Sequence, residues 1–101
     1  WRRMWLATLL VPMKEQVDER FWKRALAHDR IEPRPDEVDL EAPNRIVREI
    51  AGQKGIQLVD LLDWFRGNRD TGEIYFDNDP HLTALGHRLA GEALFAHLGG
   101  R

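Results

Sequence analysis

The sequence contains no cysteine and no serine. Without thiols there are no disulfides, no thiolate metal sites and no cysteine nucleophile, and the redox compartment stays open. Without serine, any hydroxyl nucleophile must be Thr8, Thr71 or Thr83, or must come from outside the chain. Long apolar runs are also missing. Residues 4–11 are far shorter than the roughly 20 residues a spanning helix needs, and no small-residue cleavage site follows them. A strong charge of one sign is missing too. The net charge is −2, with +3 over residues 1–30 and −5 over the remainder, too mild a footprint for nucleic acid or anionic lipid.

What is present suits one small domain over residues 1–101, 43% hydrophobic and 32% charged. A globule of this length buries only about 60–65% of its unfolded surface, so its core must be modest. The chain opens on Trp1-Arg2-Arg3 and runs almost at once into apolar residues, as a chain cut in mid-fold would.

Trp5-Leu6-Ala7-Thr8-Leu9-Leu10-Val11 has the length and composition of a parallel-sheet strand buried on both faces, and Pro12 marks its handover to a helix. A helical period then runs from Lys14 to about His28, with Val17, Phe21, Trp22 and Ala25 inward. Lys14 and Glu15 open it as an ordinary solvated pair. Residues 29–41 hold two prolines and six acidic residues and read as a surface loop. A second helix is expected from Pro43 to Lys54, buried along Ile46, Val47 and Ile50 and stopped by Gly55.

Ile56-Gln57-Leu58-Val59 is a second strand, and residues 60–66 form a helical turn. A loop then leads to Ile74-Tyr75-Phe76, a polar turn over residues 77–81, and a helix capped by Thr83 that ends near Leu98. Leu85, Leu89, Ala90, Ala93 and Ala96 share its inner face, and His87, Arg88 and Glu92 the outer one. This order is α/β, with right-handed crossover setting the two strands parallel. Two strands need a third for stability, which an upstream half or another copy would supply.

Asp79-Pro80-His81-Leu82-Thr83, followed by Gly86-His87, is the segment with a chemical reading. An imidazole can take a hydroxyl proton when a carboxylate on its other nitrogen fixes the tautomer and stabilises the imidazolium. The block resembles the last conserved block of the SGNH (GDSL-type) hydrolase family, where the catalytic Asp stands two or three residues before the catalytic His, ahead of the final helix. Leu9-Leu10-Val11-Pro12-Met13-Lys14-Glu15-Gln16-Val17 is similar to a strand-Pro-x-Lys-Glu-x-Val passage of some members. Gly55-Ile56-Gln57-Leu58-Val59-Asp60-Leu61 is similar to the passage before their final block.

The resemblance implies the C-terminal part of a flavodoxin-like three-layer α/β/α fold with parallel strands and flanking helices. It implies that Asp79 and His81 are catalytic, that an acyl or acetyl ester of a lipid or carbohydrate is the substrate, and that no cofactor or metal takes part. The family's Gly-Asp-Ser block and its Gly and Asn oxyanion blocks are absent, so the nucleophile is expected in an upstream half and this chain alone is expected to be inactive. The alternative is a small α/β interaction or assembly module in which Asp79-Pro80-His81 is a turn.

Other candidates are structural by default. Asp60 and Asp63 cap a helix, and His28 and His97 sit at helix ends. His87 points to solvent with no defensible zinc spacing. Trp1, Trp5, Trp22 and Trp64 are core residues. Thr8 lies within the buried strand, and Thr83 is a cap.

Overall fold

The computed structural model describes residues 7–34 and 38–99. Among these the chain forms β1 (Ala7–Leu10), α1 (Lys14–Val17), α2 (Glu19–Asp29), α3 (Ala42–Lys54), β2 (Gln57–Asp60), α4 (Leu62–Gly67) and α5 (Ala84–His97). The fold is mixed α/β. β1 and β2 pair in parallel in the register Ala7 with Gln57 through Leu10 with Asp60, and Leu61 N–H extends the ladder to Leu10 O at 3.1 Å. Trp5 and Leu6, placed in the first strand by the sequence reading, lie outside the described residues. Val11 and Ile56, also assigned to strands, fall just beyond them.

The first strand is not buried on both faces, because Thr8 and Leu9 are exposed. Among the described residues the sheet has two strands, and the helices that pack closely on it, α3 and α5, meet β2. Among the described residues no helix packs comparably on β1.

The single helix expected over residues 14–28 is two. Asp18 adopts an extended conformation, ends α1 and caps α2 by accepting from Arg20 N–H at 2.9 Å. A short carboxylate that binds the backbone two residues on stabilises a break more than another helical turn. The same carboxylate clamps the Arg20 guanidinium at 2.6 Å. The loop after α2 agrees with expectation where it is described: residues 31–34 and 38–39 carry no regular structure, and residues 40–41 form a turn leading into α3.

α3 is turned away from the expected face. Asn44 is 2% exposed and Ala51 is buried with Val47 partly so, whereas Ile46 and Ile50 are 53% and 49% exposed. The inward positions 44, 47 and 51 still follow helical spacing. Asn44 can sit inside because both polar atoms of its amide have a partner: Oδ1 accepts from Gln16 Nε2 at 2.8 Å, and Nδ2 donates to Asp60 Oδ1 at 2.8 Å. Gly55 stops the helix as expected, in the left-handed region at φ +66°.

The core gathers Val17, Val59, Leu61, Leu62, Phe65, Ile74, Tyr75, Leu89 and Ala90. Phe65 and Tyr75 meet edge to face with centroids 6.0 Å apart. α5 presents Leu89 and Ala90 to this core, flanked by Leu85 and Ala93, but Ala96 is exposed. Thr83 caps it as expected, accepting from Gly86 N–H at 3.2 Å. Trp22 is half-buried, and Trp64 is partly exposed with its indole N–H on Leu89 O at 2.9 Å. Trp1 lies outside the described residues.

Candidate active site

Ile74 and Tyr75 are buried, and Tyr75 forms an antiparallel bridge with Leu82. Phe76 N–H donates to His81 O at 3.1 Å and Thr83 N–H to Ile74 O at 2.9 Å, so residues 77–81 are the tip of a closed loop. Asp79 and His81 stand on that tip. Asp79 Oδ1 accepts from the His81 backbone N–H at 2.7 Å and also contacts His81 Nδ1. Both side chains are open to solvent, 50% and 80% exposed.

The His81 backbone N–H, followed by its imidazole, holds the Asp79 carboxyl below the usual carboxylate range, with the Lys14 charge acting in the same direction. An ionised carboxylate can only accept, so the proton between the two groups belongs on Nδ1. In the neutral imidazole this leaves the lone pair on Nε2, which has no protein partner among the described residues. That is the tautomer a general base needs.

The remaining candidates do not join this pair. His87 is exposed on the outer face of α5, and no group of three metal-binding side chains exists among the described residues. His28 Nδ1 contacts Asp29 Oδ1 at 3.1 Å on the surface, and His97 is exposed at the end of α5. Asp60 accepts from Leu62 N–H at 3.0 Å and from Asn44, a capping and bracing role. Asp63 is exposed in the first turn of α4.

No threonine is poised as a nucleophile beside His81. Thr83 Oγ1 is committed to the Glu73 and Ile74 carbonyls and to the cap, and Thr71 Oγ1 donates to Asn68 O at 2.8 Å. Thr8 is exposed on β1, not buried as expected.

Lys14 is the residue that local reasoning missed. Its ammonium donates to Asp77 O at 2.9 Å and to Phe76 O and Asp79 O at 3.4 Å each, and lies 4.9 Å from the centre of the Phe21 ring. Arg24 adds a 2.8 Å ion pair to Asp77, and the Tyr75 hydroxyl donates to Pro12 O. The segment after β1 is therefore strapped to the Asp-His loop. The signal was the lysine of the Pro-x-Lys-Glu-x-Val passage, but its partners lie 62 to 65 residues away.

Beside the strap, a cleft of about 370 Å³ runs between α2 and residues 69–77, lined by Arg20, Phe21, Arg24, Arg69, Tyr75 and Asp77 among others. Its charges are mixed. Among the described residues no helix is long and apolar enough to cross a membrane. No family model, curated protein or solved structure matches the chain.

Proposed function

We propose that this chain carries the acid/base pair of an SGNH-like serine ester hydrolase or O-acyltransferase, with His81 as base and Asp79 as its orienting carboxylate. One observation carries the reading: a carboxylate held ionised bonds Nδ1 of an accessible imidazole on a closed loop ahead of α5. The serine comes from residues outside this sequence. A second copy of the chain brings no serine and can complete a sheet but not a triad. On this reading the two-stranded sheet is part of a flavodoxin-like three-layer fold.

In the reaction, His81 Nε2 takes the serine hydroxyl proton as the oxygen attacks the acyl carbonyl, and Asp79 stabilises the imidazolium. The imidazolium then protonates the departing alkoxide, leaving an acyl-enzyme. Water or an acceptor hydroxyl, deprotonated by the same nitrogen, resolves it. Substrates are acyl or acetyl esters of lipids or carbohydrates.

A second reading, an interaction module, draws on the exposed Leu9, Val11, Ile46, Ile50 and Ile56. Hydrolysis of a chromogenic acetyl ester separates the two. The isolated chain should be inactive and the parent polypeptide active, with His81→Ala lowering kcat at least about a thousandfold and His87→Ala far less. Turnover by the serine-free chain, or an unimpaired His81→Ala parent, overturns the hydrolase reading.

A further inference from the structure

We infer that Lys14 is the positioning residue of the Asp79–His81 turn, its ammonium serving as the hub on which the loop's backbone is wound. The carbonyl oxygens of Phe76, Asp77 and Asp79 all lie within 3.4 Å of Lys14 Nζ. Three carbonyl dipoles aimed at one point repel one another unless a cation sits among them. An ammonium has three donors and no acceptor, so its donors match these three acceptors one for one. Phe21 flanks a further side with its ring face, whose negative quadrupole attracts the cation.

The consequence falls on the acid/base pair. The Asp79 carbonyl belongs to the peptide unit joining Asp79 to Pro80, so holding that oxygen orients the backbone from which the Asp79 carboxylate reaches His81. Pro80 limits the adjustments available to this segment, since its φ is fixed and the residue before it is kept from the helical region. Lys14 is also the first residue of α1, just beyond the carboxyl end of β1. In open parallel α/β sheets ligands bind outside the carboxyl ends of the strands. The ammonium thus ties the loop to the sheet edge where a substrate would lie. Arg24 grips the same loop through the Asp77 side chain and leaves the three carbonyls to Lys14.

Lys14 organises the turn whether or not the chain serves an esterase; its effect on turnover rests on the hydrolase reading. Its hold on the turn can be measured without any variant. In a ¹⁵N-labelled chain the Lys14 ammonium should give a separate ¹H–¹⁵N signal that exchanges slowly with water, while the exposed Lys23 exchanges fast. A Lys14 signal indistinguishable from that of Lys23 overturns the proposal.

Lys14→Met and Lys14→Gln keep most of the stem and remove the charge. At a pH where the imidazole is neutral, wild type should show His81 with Nδ1 protonated and Nε2 bare in a long-range ¹H–¹⁵N spectrum, and either variant that folds should lose that pattern. Asp77→Ala, which removes the Arg24 contact but keeps the carbonyl, should retain it. A folded Lys14 variant with the wild-type His81 pattern counts against the proposal. In the parent polypeptide, Lys14→Met should lower kcat about a hundredfold with KM little changed, as misplacement of a reacting group does. If the His81 pattern is lost but the unaltered parent hydrolyses no ester, Lys14 keeps its positioning role and the hydrolase reading fails.

Discussion

Gly86 lies so close to the carbonyl of Ile74 that a Cβ at that position would stand 2.4 Å from the oxygen, and 3.0 Å from Leu82 Cδ2. The obstacle is backbone, and it cannot swing aside: Ile74 O already accepts from the Thr83 N–H at 2.9 Å and the Thr83 hydroxyl at 3.1 Å. This contact seats α5 on the base of the Asp-His loop. Gly86→Ala should therefore destabilise the chain by about 1–3 kcal/mol, the range for overpacking. Gly91, on the same helix with nothing within 4 Å of its added Cβ, is the control. Gly91→Ala should stabilise by about 0.5–1 kcal/mol through helix propensity alone. Urea midpoints of the two variants give the comparison, and equal shifts would remove the steric argument.

Asn44 ties α1 to β2 through one buried amide, between Gln16 and Asp60. Truncation to Ala leaves buried partners short of a hydrogen bond and should cost about 1–3 kcal/mol. Asn44→Asp places a second carboxylate against Asp60, and like charges at that range cannot both ionise cheaply. Its destabilisation should be greatest near neutral pH and shrink on acidification, as one carboxyl of the pair takes up a proton. Denaturation midpoints across pH check the sign. A penalty independent of pH would mean that the two side chains have moved apart.

Asp18 contributes to the acid dependence of the native fold. The Arg20 guanidinium, aided by the Arg20 backbone N–H and opposed by partial burial, holds its carboxyl below the usual range. A group whose pKa is lowered on folding contributes stability that is complete above its unfolded value, near about 4. The contribution is lost as pH falls through the folded value. Asp18→Ala should cost about 1 kcal/mol at neutral pH, as loss of a helix cap does. The gap between wild type and variant should narrow below about pH 4. Chemical unfolding at neutral and acid pH measures it, and a gap that widens in acid would contradict the assignment.

Much of the architecture is written locally. The apolar run ending at Pro12 and the short segment after Gly55 each contain a strand, and their parallel pairing follows from the helices between them and the handedness of crossovers. Thr83, Gly55 and the alternation of Leu89 and Ala90 with His87 and Arg88 are signals read within one or two helical turns, and each holds. The Asp79–His81 contact is equally local, since two residues separate the partners and the turn brings them together. Asp18 also carried a readable capping signal, but the period of Val17, Phe21 and Ala25 runs straight across it and hides the break.

What the sequence by itself determined is the set of features whose partners lie a few residues apart: the strands, the caps, and an imidazole beside a carboxylate. Only the tertiary structure decided the rest. α3 turns Asn44 inward and Ile46 and Ile50 outward because the amide's partners stand 28 and 16 residues away. Thr8 and Leu9 are exposed because neither α3 nor α5 covers β1 as it covers β2. Lys14, an unremarkable helix-opening residue in one dimension, becomes the hub of the Asp-His loop because the fold brings three carbonyl oxygens to it from the far end of the chain. Hydrophobic period and capping chemistry act over one turn of backbone, whereas the partners that satisfy a buried amide or a partly buried ammonium are chosen by packing.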